Sequence, residues 1–227
     1  MQATSLSALI NWDRHLLLTI NGWHSQWADS FFWLISSRLF PVVLSLLLIF
    51  YLWKNNGIKA LVYIVFLALT IALADQLASG LIKPLVARLR PTHDPAIQSM
   101  VHLVHNYRGG LYGFVSSHAA NTMAASFFVT LLIRKRLLAF LFFLWAAVTC
   151  YSRMYLGVHF PLDVLGGIVV GFFSGGFVYY FMTSIAHHFR RIQWLATPAR
   201  MPFKDELAFF LIAIGFSLIV LLSCMYY

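Results

Sequence analysis

Six continuous apolar stretches dominate the chain, at about Phe31–Trp53, Ile58–Ile82, Val115–Ile133, Leu137–Ser152, Leu162–Met182 and Leu207–Tyr226. Each is near the ~20 residues that a helix needs to cross the hydrocarbon core of a bilayer. Strands of a closed barrel would alternate apolar and polar residues. These runs are apolar throughout, so helices are the expected way to satisfy their backbone hydrogen bonds. The rest of the composition agrees: 61% of residues are hydrophobic, only 10% are charged, and the mean hydropathy is +0.79. That excludes a soluble cytosolic enzyme. The expected fold is all-α, an integral membrane bundle of about six transmembrane helices spanning residues 31–227 and preceded by an N-terminal segment, 1–30.

The N-terminal segment does not read as a secretory signal, because Asp13 and Arg14 interrupt its apolar run. Leu6, Leu9, Ile10, Leu16, Leu17 and Ile20 share one helical face before an Asn21-Gly22 break. This predicts a short amphipathic helix lying in the membrane interface, anchored by Trp12, Trp23 and Trp27. The same face would equally suit a helix packed on the bundle.

Sixteen basic against seven acidic residues give a net charge of +9. In a membrane chain this excess reads as topology and anionic partners, not nucleic acid. Lys54 and Lys59, the run Arg134–Arg136, and Arg190, Arg191, Arg200 and Lys204 fall in alternate loops on one side, the expected cytoplasmic side. Arg14, Lys83, Arg88, Arg90, Arg108 and Arg153 fall on the other, with both termini, while Arg38 sits within the first stretch. Arg38 and Arg88 read as boundary charges or snorkelling side chains. Cys150 and Cys224 lie inside apolar runs and form no disulfide framework.

Polar groups gather in three segments on the outward side. Lys83 and Arg90 stand seven residues apart, so two helical turns would project both cations from one face, with Pro91 at the helix end. Ser116, Ser117 and His118 stand directly before an apolar helix, where a serine caps and free N–H groups attract an anion. Ser152, Arg153, His159 and Asp163 run into another helix start at Pro161. Together they offer cations and N–H donors for a group with two or three negative oxygens, which means phosphate. One histidine beside a carboxylate suits a nucleophile, and a second suits an acid for the leaving oxygen. In-line phosphoryl transfer needs mainly positioning and charge neutralisation, which this set offers without a metal or cofactor. His93, His102, His105 and Asp94 lack the spacing of a metal site. Asp75, within the second stretch, is an intramembrane carboxylate with either a functional role or a structural hydroxyl or arginine partner.

Lys83-x6-Arg90-Pro91, Ser116-Ser117-His118 and Ser152-Arg153-x5-His159-x3-Asp163 together resemble the three-part signature of the type 2 phosphatidic acid phosphatases. The bundle from about residue 11 to 182 is similar to that family, and the helix at 207–226 lies beyond the motifs. Val115 and Ser117 stand where the family usually has proline and glycine. The resemblance implies that His159 is the nucleophile, that Asp163 holds its other nitrogen, and that His118 is the acid and base. It implies that Lys83, Arg90 and Arg153 bind phosphoryl oxygens, with Ser116 and the backbone near Ser117 and His118 completing the cradle. The implied protein is a multi-pass enzyme of a bacterial inner membrane, its site facing the periplasm or exterior. It would act on a lipid phosphate or diphosphate among membrane lipids, and the layout most resembles undecaprenyl-diphosphate phosphatases. Phosphatidylglycerophosphate, phosphatidic acid and lipid A phosphates are alternative substrates. A vanadate haloperoxidase would use the same cradle but is soluble, and a lipid transporter or scramblase would not require His159 and Asp163 at their spacing.

Overall fold

The structure, a computed structural model, describes residues 2–37 and 39–224. Arg38 and the end of the expected 207–226 helix lie outside the described residues. The chain forms α1 (Gln2–Gly22), α2 (Gln26–Ile35), α3 (Leu39–Asn56), α4 (Lys59–Asp75), the single turn α5 (Lys83–Val86), α6 (Ser117–Ile133), α7 (Arg136–Tyr155), α8 (Pro161–His188) and α9 (Phe203–Ser223). A π-helical segment, Gln76–Ile82, joins α4 to α5, so that Lys59–Val86 is one continuous span. No strand occurs among the described residues. The chain is thus the helical bundle expected, with five helices long and apolar enough to cross a membrane. The 17-residue α6 is shorter and sits at the centre of the bundle.

Several boundaries differ from the sequence expectation. The stretch Phe31–Trp53 is two helices, with α2 ending at Ile35 and α3 beginning at Leu39. The fourth and fifth spans are longer than their apolar runs, because α7 carries Arg153 in its last turn and α8 continues to His188. The N-terminal helix has 21 residues and is docked on the bundle. Its buried face is Asp13, Leu17 and Asn21, while Leu6, Leu9, Trp12 and Trp23 are exposed.

The packing of α8 on α6 fixes the site. Gly167, Gly171 and Gly175 recur every four residues along α8. A Cβ on each would come within 2.5–2.7 Å of the carbonyls of Ser116, Ala120 and Ala124. The two backbones approach closely because these residues are small, the usual solution where lipid supplies no hydrophobic drive. At the opposite end, the buried Glu206 carboxylate accepts from the N–H groups of Leu137 and Leu138, which α7 cannot satisfy itself. Lys54 reaches Asp205 at 2.7 Å beside it. That end holds the basic loops, and the three motif segments lie at the other.

Candidate active site

The first motif does not run along one helix. After α5 the chain turns at Ala87, which takes a left-handed conformation with φ 48°. Arg88, Leu89 and Arg90 are then extended and pair with the loop at 111–113, through Arg90 N–H to Leu111 at 3.0 Å and Gly113 N–H to Arg88 at 2.8 Å. Lys83 therefore comes from a helix and Arg90 from an extended segment. In an extended segment residues two apart share a side, so Arg88 and Arg90 both turn to the start of α8. Arg90 donates to the carbonyls of Tyr112 (3.1 Å) and Val158 (3.3 Å), and its guanidinium packs on Gly109, where a Cβ would be 2.7 Å from a terminal nitrogen. Gly109 has φ +69°, so both the backbone and the space there call for glycine.

Ser116 caps α6: it is fully buried, and its hydroxyl accepts from Ala119 N–H at 3.4 Å. Its hydroxyl proton is what it retains for an anion. Ser117, at the family's glycine position, lies in the first turn of α6 with no positive φ, so the side chain costs no backbone strain. Its hydroxyl receives Lys83 Nζ and meets Ser79 Oγ at 2.7 Å. His118 is exposed next to it, on the wall of a cavity.

His159 is 1% exposed, and its Nδ1 lies 3.5 Å from Asp163 Oδ2, just beyond hydrogen-bond length. Such contacts tighten when substrate binds. The charges of Arg90, Arg153 and Lys83 bear on the ring, as they do on that of His118. Burial first, then these cations, hold its pKa well below the ordinary ~6.5 of histidine. The ring is therefore neutral, as a nucleophile must be, through neutral pH and below it. Arg153, 3% exposed, donates to Ser36 Oγ at the end of α2, and its Nε is buried without a partner.

Asp163 is enclosed on three sides. Its carboxylate accepts from Phe160 N–H at 3.0 Å and from Arg88 at 2.9 Å. Gly113 lies against Oδ2, where a Cβ would be 2.7 Å away. The second guanidinium nitrogen of Arg88 reaches Asp13 at 2.6 Å, and Asp13 also accepts from Leu162 N–H at 3.0 Å. Arg88 lies over the Phe160 ring, 4.1 Å from its centroid. Both carboxylates are fully buried. Arg88 is thus no snorkelling boundary charge but the tie between Asp163 and the N-terminal helix. A signal for Asp13 did exist: it is a carboxylate four residues before Leu17 on the apolar face of α1.

The loop histidines do not converge. Asp94 is paired with Arg14 at 2.8 Å, His102 with Asp29 at 3.0 Å, and His105 packs on Trp33. Asp75 accepts from Asn121 Nδ2 at 3.2 Å and lies 3.4 Å from Ser79 Oγ.

A cavity of about 300 Å³, lined at one end by Ser117 and His118, runs between α3, α4, α6 and α7. Its walls extend along α6 from Ser117 to Val129, about 18 Å at 1.5 Å per residue. That is roughly half a bilayer core. The cavity thus reaches Ser117, whose hydroxyl Lys83 contacts, and has apolar walls long enough for a hydrocarbon tail.

Comparison with known proteins fits this geometry. Residues 59–186 match the model of the PAP2 superfamily. The chain belongs to this superfamily. It is 41% identical over 177 residues to a lipid A 4'-phosphatase of Bacteroides thetaiotaomicron, covering 77% of each chain. It is 38% identical over 168 residues to another of Porphyromonas gingivalis, covering 74% of this chain and 71% of that one. An Escherichia coli protein, YbjG, named provisionally as an undecaprenyl-diphosphatase, is 30% identical over 151 residues, 63% of this chain and 71% of that one. The crystal structure of Aquifex aeolicus LpxE superposes with a TM-score of 0.59 at 25% identity, covering 73% of this chain and 93% of that one. The chain is therefore a PAP2 membrane phosphatase, similar to enzymes of lipid phosphate esters.

Proposed function

We propose that this PAP2 phosphatase removes a phosphate monoester from a lipid A-type glycolipid, through a phosphohistidine and without a metal. Relatives at 41% and 38% identity carry the lipid A 4'-phosphatase name, against 30% for the undecaprenyl-diphosphatase. That difference moves the preferred substrate away from the polyprenyl diphosphate expected from the motif layout. The observation that carries the chemistry is His159, buried beside Asp163 with the charges of Lys83, Arg90 and Arg153 bearing on its ring.

In this reading Lys83, Arg90 and Arg153 hold the phosphoryl oxygens, aided by Ser117, Ser116 and the N–H groups at the start of α6. His159 Nε2 attacks phosphorus, and the ester P–O bond breaks as the N–P bond forms. His118 gives its proton to the departing oxygen. Asp163, held by Arg88, stabilises the positive charge that the ring acquires. His118 then takes a proton from water, whose oxygen attacks phosphorus, breaks the N–P bond and frees inorganic phosphate.

Purified protein in detergent should release phosphate fastest from lipid A phosphate when compared with undecaprenyl diphosphate, phosphatidylglycerophosphate and phosphatidic acid, and excess EDTA should not change the rate. A faster rate on undecaprenyl diphosphate would restore the polyprenyl reading. Loss of all activity in EDTA, restored by one divalent ion, would overturn the metal-free mechanism.

The basic loops support a site on the outer face of the inner membrane. Cysteine placed at the exposed Gln98 should react in intact spheroplasts with a membrane-impermeant thiol reagent, and cysteine at the exposed Gln193 should not. The native Cys150 and Cys224 are buried and give little background. Labelling at Gln193 alone would invert the topology.

A further inference from the structure

The cavity below His118 is not a plain hydrocarbon slot. Asp75, Asn121 and Trp145 interrupt its apolar walls. A neighbouring space of about 80 Å³ shares His118, Thr122 and Trp145 with it and adds Thr149. Asn121 gives its amide N–H to Asp75, which fixes the amide's orientation because a carboxylate only accepts. Its Oδ1 is then buried with no partner, as are Trp145 Nε1 and Thr149 Oγ1. Leaving a buried polar atom unpaired is costly. Asn121 and Trp145 line the larger space, and Trp145 and Thr149 the smaller one beside it, so three such atoms on adjoining walls mark a place that receives a polar group.

The three atoms are complementary. Asn121 Oδ1 only accepts, Trp145 Nε1 only donates, and Thr149 Oγ1 does either. A hydroxyl or a secondary amide both donates and accepts, whereas a saturated acyl or isoprenoid chain does neither. Asn121 is one helical turn beyond Ser117, about 6 Å along the axis. The matching group would therefore lie a few bonds from the phosphorylated carbon.

We infer that Asn121, Trp145 and Thr149 form a specificity site for lipid phosphates whose chain bears a hydroxyl or amide close to the headgroup. The inference rests on the lipid phosphatase reading above.

Two synthetic lipid monophosphates with the same headgroup and chain length, one with a 3-hydroxyacyl chain and one with a plain acyl chain, test it on the purified protein. The water-soluble p-nitrophenyl phosphate reports the phosphate cradle alone. The hydroxylated lipid should be preferred about tenfold in kcat/KM, the ratio that ~1.4 kcal/mol gives. Trp145→Phe and Thr149→Val, made separately and checked for unaltered thermal unfolding, should each bring that ratio toward one. Equal rates on the two lipids in the unaltered protein, or an undiminished ratio in both variants, would overturn the specificity site and leave the phosphatase reading intact. Hydrolysis of p-nitrophenyl phosphate with neither lipid cleaved would overturn the lipid reading and the inference with it.

Discussion

Replacing His159 by alanine should lower kcat on the order of 10⁴-fold or more, as removal of a covalent nucleophile does. His159 is buried beside Asp163, and the charges of Arg90, Arg153 and Lys83 bear on its ring. The protein should remain folded, because His159 Nδ1 makes no hydrogen bond in the structure and its loss orphans no buried partner. Thermal unfolding in detergent checks the fold, and phosphate release checks the rate. A variant that kept a tenth of the activity would remove His159 from the chemistry.

Arg88→Ala should be the most damaging change away from the reacting atoms. It leaves Asp13 and Asp163, both fully buried, without the guanidinium that bridges them. Removing one partner from a buried ion pair costs about 3–5 kcal/mol. Released from Arg88, Asp163 is no longer positioned to take up the His159 ring when substrate binds, so kcat should also fall by about 10²-fold, the lower range for a misplaced catalytic group. Adding Asp13→Asn to Arg88→Ala removes one stranded charge and should recover part of the unfolding temperature while leaving kcat low. Full recovery of both would mean that Arg88 serves stability alone. Unchanged stability and kcat in Arg88→Ala would mean that the Asp13–Arg88–Asp163 bridge has no role.

Features carried by local pattern were readable in the sequence. The apolar runs gave the helices, and the polar segments at their ends gave the three places where a site could form. Ser116 as a cap and Pro161 at the start of α8 needed only neighbouring residues. What was not readable depends on where the chain leaves helical geometry. Lys83 and Arg90 would share a helix face, but the left-handed turn at Ala87 ends that helix and sends Arg88 to Asp163 instead. Nothing near Arg88 in sequence foretells partners 75 residues away in both directions. Asp13 is similar: its carboxylate serves Arg88 and the Leu162 N–H, contacts that exist only once α1 docks. The unpaired atoms of Asn121, Trp145 and Thr149 likewise emerge only from helix packing, since each residue alone reads as ordinary.

The central claim is that phosphate passes through His159, and trapping the covalent intermediate tests it most directly. Purified protein mixed with a radiolabelled lipid phosphate and quenched in alkali should carry label that acid removes and alkali does not, the stability of a phosphohistidine. His118→Ala, unable to activate water, should accumulate more label than the unaltered protein when the leaving group is good. His159→Ala should carry none. Label retained in His159→Ala, or rapid phosphate release with no label trapped in His118→Ala, would contradict the account.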